Sequence, residues 1–294
     1  MKSNLVHLIC TREFANFIEE LLIAFGASTV AMSQPNDKNP IYEPKIGETP
    51  LWKEIEISAT FDKRINKIDL QKLLNNIPYS KLRISTLPDI DWVRNYQEIH
   101  KPIRFGKKLW TVPSWSSRPK NKGEIHVQID PGLAFGSGSH ETTHLCMEYL
   151  DLNPPKNKLI LDYGCGSGIL GITSILMGCK RADFIDIDPQ ALESTRINLD
   201  RNNIKEGFVV NFPSKEFGNS YDYIYTNILL NPLLLLKEKF FELLHTNSKL
   251  VVSGIMVNQT KDLISAYENH FQVEGVNERN NWCLVEFSKN HENH

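Results

Sequence analysis

Cysteine is scarce in this chain and follows no pattern. The 294 residues hold five: Cys10, Cys146, Cys165, Cys179 and Cys283. The number is odd and no C-x-x-C pair occurs. That excludes a disulfide framework and the common zinc and thiol-redox motifs, and it predicts a reduced, cytoplasmic setting. Excess charge of one sign is missing as well. Thirty-three basic against 35 acidic side chains give a formal charge of -2. No basic surplus announces nucleic acid, and no like-charge block announces a binding tail. Long apolar runs are also absent. Nothing approaches the ~20 residues of a membrane span, and the most apolar window, Ile228 to Leu236, is interrupted by Asn231 and Pro232. The apolar stretch Leu5 to Cys10 is too short for a signal peptide and lacks a small-residue cleavage site. There is no internal repeat. The chain is expected to work in the cytoplasm as a monomer, with no membrane and no direct nucleic-acid contact.

What is present is an ordinary globular composition, with 41% hydrophobic and 23% charged residues. The length suggests two domains. Residues 1–90 read as strand, helix, strand, strand, helix, strand. Leu5–Cys10 is the first strand. Thr11 caps the helix Arg12–Phe25, whose residues Phe14, Phe17, Ile18, Leu21 and Leu22 recur at helical spacing, and Gly26 ends it. Strand Ser28–Ser33 and the Pro- and Asn-rich loop Gln34–Pro50 follow, then a half-buried strand through Ile55, Ile57, Ala59 and Phe61. A helix over Asp69–Asn76 and a strand over Lys81–Ser85 complete a ferredoxin-like order. Residues 91–106 read as a linker whose helix, Asp91–His100, ends before Pro102.

Residues 107–294 begin with a strand pair, Lys108–Val112 and Glu124–Ile129. Strands and helices then alternate. The strands are Leu159–Tyr163, Ala182–Ile187, Phe208–Asn211, Tyr221–Thr226, Lys249–Ser253, Phe271–Gly275 and Trp282–Phe287. The helices are Ile169–Met177, Gln190–Asn202, Leu233–Leu244 and Gln259–Asn269. Such alternation predicts an α/β fold with a parallel sheet covered on both faces. The last two strands have no helix between them, so the sheet ends in an antiparallel hairpin. Asn290–His294 reads as a disordered tail.

Leu159–Leu161 lead into Asp162, and Gly164, Gly166 and Gly168 form a turn before a helix. Glycines let backbone approach a ligand closely, and a helix start offers N–H groups to an anion. Asp186, at the end of the next strand, is placed to accept ribose hydroxyls. Two cofactors suit this pattern. Gly166, Gly168 and Gly171 satisfy G-x-G-x-x-G with Asp186 20 residues on, the nicotinamide dinucleotide fingerprint. Against it, Asp162 at the strand tip gives D-x-G-x-G-x-G, and the domain has no second mononucleotide half. Those features favour a methyl donor, S-adenosylmethionine. Asp188 precedes Pro189 and reads as a helix cap.

Asn227 falls at the carboxyl end of a strand, followed by apolar Ile228, Leu229 and Leu230. Its amide oxygen can accept a hydrogen bond from an attacking amine; the plainer reading is a turn asparagine. The segment Asp130–Thr143 joins three glycines to Phe135 and the hydroxyls of Thr142 and Thr143, which can bond a cofactor. The alternative there is a structural elbow. His140-Glu141-Thr142-Thr143-His144 matches H-E-x-x-H, but Met147 and Leu150 stand where the extended zinc pattern needs glycine and histidine, so no metal is expected. Trp110, Trp115 and Phe135 read as core aromatics, with a wall on the site as the alternative.

Taken together, these residues resemble the bacterial ribosomal protein methyltransferase PrmA family, which acts on large-subunit ribosomal protein L-eleven (L11). The resemblance runs through Tyr42-Glu43-Pro44, Gly47-Glu48-Thr49, Leu51-Trp52, Asp91-Trp92, Arg104-Phe105-Gly106, Asp130–His140, Asp162–Leu170, Ile185–Ala191, Thr226–Leu229 and Ser253-Gly254-Ile255. It implies a class I methyltransferase: a doubly wound seven-stranded sheet behind a small α+β ferredoxin-like domain that holds the substrate protein. It implies that Thr143, Gly164, Gly166, Asp186 and Asn227 contact S-adenosyl-L-methionine and that Asn227 is catalytic. The acceptors would be lysine side chains and the N-terminal α-amine of L11. Glu141 stands where the family usually has proline, and Ser114–Gly123 diverges. Two other classes compete on sequence alone, a nicotinamide-dependent oxidoreductase and a non-catalytic ribosome-binding module.

Overall fold

The structure is a computed structural model that describes residues 3–35, 52–86, 92–130, 136, 138–213 and 220–289, with backbone only for 92–94. The motifs Tyr42-Glu43-Pro44 and Gly47-Glu48-Thr49, together with Leu51, Asp91, residues 131–135 (Phe135 among them), 137 and the tail Asn290–His294, lie outside the described residues. So does most of the expected loop Gln34–Pro50.

Contacts divide the chain into two units, Met1–Asn95 and Tyr96–His294, and the division falls inside helix α3 (Trp92–Ile99). The first unit runs β1 (Asn4–Thr11), α1 (Arg12–Ala24), β2 (Thr29–Ser33), β3 (Glu54–Phe61), α2 (Lys67–Leu73), β4 (Tyr79–Thr86). Its sheet has the order β2-β3-β1-β4, antiparallel throughout. Alternation decides which face is buried. Val6, Leu8 and Cys10 of β1 and Ile55, Ile57, Ala59 and Phe61 of β3 pack against Ala15, Ile18 and Leu22 of α1 and Leu70 of α2. Thr11 occupies the N-cap position of α1, yet its side chain makes no capping bond, contrary to the sequence reading. Asn66 does cap α2, accepting from the Ile68 N–H at 2.9 Å.

The second unit opens with β5 (Ile103–Phe105), β6 (Leu109–Val112) and β7 (Ile125–Gln128). The expected strand pair is present but parallel, and β5, unforeseen, adds antiparallel to β6. Helix α4 (Glu141–Leu152) leads to β8 (Leu159–Tyr163), α5 (Ile169–Leu176), β9 (Arg181–Ile185), α6 (Pro189–Arg201), β10 (Phe208–Asn211), β11 (Tyr221–Asn227), α7 (Leu230–Leu243), β12 (Leu244–Met256), α8 (Thr260–Tyr267), β13 (Phe271–Arg279) and β14 (Trp282–Lys289). The central sheet has the order β10-β9-β8-β11-β12-β14-β13. It is mixed: β14 inserts antiparallel between β12 and β13. Ile160, Tyr225 and Val251 face a core with α4, α5 and α6, while Leu161, Ile224 and Val252 face one with α7 and α8. Because the side-chain period is two, adjacent residues of each strand feed opposite cores.

Several boundaries differ from expectation, α2 (Lys67–Leu73 against Asp69–Asn76) among them. Helix α7 starts at Leu230, so Asn231 and Pro232 sit in its first turn rather than breaking an apolar run. Proline is tolerated there because the first-turn N–H has no partner in the helix. Strands β12 and β13 are longer than their apolar patches. The β13–β14 turn places Asn280 at φ 45° and Asn281 at φ 69°, a two-residue hairpin turn that asparagine accepts. Among the described residues no helix is long and apolar enough to cross a membrane.

Candidate functional site

A cavity of about 710 Å³ opens at the carboxyl ends of β8, β9 and β11, its lining residues falling between Gly136 and Trp282. The strand ends supply Asp162, Asp186 and Asn227, and the glycine turn supplies Gly164 and Gly166. Helix α4 presents Thr142. Thr143 does not line the cavity: it is wholly buried, and its hydroxyl has no partner among the described residues. Successive helical residues point about 100° apart, so one threonine faces the cavity and the next faces inward. The Thr142 hydroxyl bonds His140 Nδ1 at 2.8 Å. Trp110 and Trp115 are not in the wall either; Arg118 lies 3.5 Å over the Trp110 ring. Sequence reasoning missed Trp282, which lines the cavity and meets His140 edge-on at 4.8 Å.

The glycine turn is bonded to the end of β9 and to itself. Ile185 O accepts from Gly164 N at 2.7 Å and from Cys165 N at 3.0 Å, and Cys165 O accepts from Gly168 N at 2.7 Å. The Asp186 carboxylate accepts from Gly166 N at 2.9 Å and from Asp188 N at 3.0 Å. Each oxygen keeps further acceptor capacity, and Asp186 lines the cavity. Asp188 caps α6, accepting from Gln190 N at 2.9 Å, with Pro189 at the first helical position. Asp162 plays a part the sequence did not suggest. It accepts from Gly171 N at 2.9 Å and so occupies one donor of the α5 N-terminus.

This arrangement discriminates between the two cofactors. A pyrophosphate needs free N–H groups or cations, but the N–H groups of Gly164, Cys165, Gly166 and Gly168 are already bonded to protein oxygens. Among the described lining residues there is neither lysine nor arginine to meet a pyrophosphate's charge. Such a wall suits a cationic nucleoside. His140 and His144 do not present a metal pair. His140 caps α4, His144 packs 4.7 Å from the Phe105 ring, and burial holds both below the usual imidazole range. Glu141 is engaged by Arg279 and Asn280.

Burial lifts Asp162 to about 8, opposed only in part by the Gly171 N–H. A carboxyl in the unfolded chain titrates near 3.9. The folded protein therefore carries an extra proton between about pH 4 and pH 8, and its stability falls as pH rises through that window. The slope is at most ~1.4 kcal/mol per pH unit. Denaturant melts at stepped pH should show this decline, and Asp162→Asn should flatten it; an unchanged slope would assign the proton elsewhere.

Asn227 stands in register with Ser253 of β12. Its Oδ1 is buried without a partner among the described residues, an uncommon state for a polar atom. Ile228 is wedged between two glycines with positive φ. A Cβ on Gly164 would lie 2.4 Å from Ile228 Cγ2, and one on Gly254 would lie 2.3 Å from the Ile228 carbonyl oxygen. The second neighbour is backbone and cannot step aside. Gly254→Ala should therefore shift Asn227, lowering kcat roughly 10- to 100-fold while weakening donor binding far less. Steady-state kinetics beside calorimetry would separate the two effects.

Comparisons with known proteins agree with this site. The family of ribosomal protein L11 methyltransferases (PrmA) matches residues 3–290. A ribosomal protein L11 methyltransferase of Hydrogenovibrio crunogenus is 35% identical over 292 residues, covering 97% of both chains. That of Pseudomonas paraeruginosa is 38% identical over 284 residues, covering 95% of this chain and 96% of the other. Among solved structures, the ribosomal protein L11 methylase of Lactobacillus delbrueckii subsp. bulgaricus superposes with a TM-score of 0.59 at 28% identity, covering 65% of this chain and all of that one. A match over nearly the whole length, on a methyltransferase-like fold whose cavity suits a methyl donor, places the chain in the ribosomal protein L11 methyltransferase (PrmA) family.

Proposed function

We propose that this chain transfers methyl groups from S-adenosylmethionine to amino groups of ribosomal protein L11, both lysine side chains and the N-terminal α-amine. The observation that carries the reading is the buried, unpartnered Oδ1 of Asn227 on the cavity that also holds Gly164, Gly166 and Asp186. An acceptor kept dry and unsatisfied is built for a ligand donor. The amide oxygen accepts an N–H of the incoming amine and aims its lone pair. Asp186 takes the ribose hydroxyls, and Gly164 and Gly166 line the methionine moiety.

The sulfonium supplies an already activated methyl group, so the protein contributes alignment and exclusion of water. The amine has to be neutral to attack. Reference pKa values are ≈ 10.4 for lysine and ≈ 7.7–8.0 for an α-amine. A largely apolar wall that includes Ile228, Leu229, Pro232 and Leu236 disfavours the charged form. The released proton passes to water. Residues 1–90, with the strand order β2-β3-β1-β4 and two helices, support a ferredoxin-like docking module for L11. Residues 91–106 act as the linker and 107–294 as the catalytic domain. Calorimetry with S-adenosylmethionine and with NAD tests the site. Binding of the first alone is expected, and binding of NAD alone would refute the reading.

A further inference from the structure

We propose that helix α6 is the positioning element of the cofactor site, with Thr195 and Asn198 holding the carbonyl groups of the glycine turn. The inference rests on the cofactor reading above. Both side chains are fully buried, lie outside the cavity lining, and are one helical turn apart on α6. Thr195 Oγ1 donates to Gly166 O at 3.0 Å, and Asn198 Nδ2 donates to Ser167 O at 2.9 Å. The turn's direction follows from these bonds. Its carbonyls are drawn back toward α6, which fixes the peptide planes that face the cavity.

The same helix reaches the segment in front of the sheet. Arg201 Nη1 donates to Asn198 Oδ1 at 3.0 Å, and Arg201 Nη2 pairs with the Asp130 carboxylate at 3.0 Å. From the other side, Ser167 Oγ donates to Gly136 O at 2.7 Å. Two polar links thus tie the glycine turn to Asp130 and to Gly136. Asn198 is the junction, donating to one partner and accepting from the other. Alpha helix 6 makes the geometry of the turn depend on that of Asp130.

Thr195 gives the cleanest test, because valine keeps its shape without the hydroxyl and serine keeps the hydroxyl without the methyl. In the full-length protein, Thr195→Val should raise the Kd for S-adenosylmethionine about tenfold, the worth of one buried carbonyl left unpaired. The KM for L11 should not move, and kcat at saturating donor should stay within about threefold, ~0.65 kcal/mol. Thr195→Ser should restore wild-type affinity. Arg201→Gln should weaken donor binding less than Thr195→Val does. Wild-type affinity in Thr195→Val, or a serine variant as impaired as the valine one, would overturn the proposal. Absence of donor binding by the wild-type protein would instead refute the cofactor reading.

Discussion

Asn227→Ala should abolish most methyl transfer and leave donor binding largely intact. A fall in kcat of about 100-fold corresponds to ~2.7 kcal/mol of lost transition-state stabilisation. The size follows from the role proposed for the residue. Its amide oxygen is buried with no partner among the described residues, so the bond it makes replaces none seen there. That bond fixes the nitrogen within reach of the methyl group, and misplacement of a reacting atom by 1 Å can cost on the order of 100-fold. Gly164, Gly166 and Asp186 also line the cavity, and on the proposed reading they hold the donor, so its Kd should rise only several-fold. Asn227→Asp distinguishes orientation from charge. A carboxylate still accepts, so partial activity is expected there. Unchanged turnover in Asn227→Ala would remove the residue from the reaction.

Removal of residues 1–90 should eliminate transfer to L11 while sparing the cofactor site. The first unit has its own apolar core, built from residues such as Val6, Ile18, Leu22, Ile57 and Phe61. Every described residue that lines the cavity lies between Gly136 and Trp282. The remaining fragment is expected to bind S-adenosylmethionine within about threefold of the full chain, ~0.65 kcal/mol. No labelled methyl should reach L11 if the first unit supplies the proposed docking contacts that raise its local concentration. Transfer at the full-length rate would refute the docking role.

Local pattern made much of this legible in the sequence. The strand–glycine–helix passage from Leu159 to Ile169, the cap at Asp188 and the strand end at Asn227 each depend on residues a few positions apart. Their structure follows from φ preferences, caps and alternation. Long-range geometry was hidden. Nothing near Trp282 says that β14 inserts beside β12 and brings the indole into the cavity wall. Nothing near Gly254 says that the Ile228 backbone lies against it. Thr195 and Asn198 bond carbonyls 29 and 31 residues away. Helical phase also decided between neighbours, turning Thr142 toward the cavity and Thr143 inward. The Asn280-Asn281 turn was readable in principle, since consecutive asparagines favour positive φ, and it would have extended both final strands. Asp162 shows a different limit. Its place at the strand tip was visible, but its burial and its bond to Gly171 depend on the packed fold.

Mass spectrometry of L11 tests the central claim most directly. The protein substrate would be taken from cells lacking this enzyme and incubated with the full-length chain and S-adenosylmethionine. Methyl increments confined to lysine side chains and the N-terminal α-amine are predicted, and they should vanish with Asn227→Ala. Unmodified L11, or methyl groups only on side chains other than amines, would contradict the account.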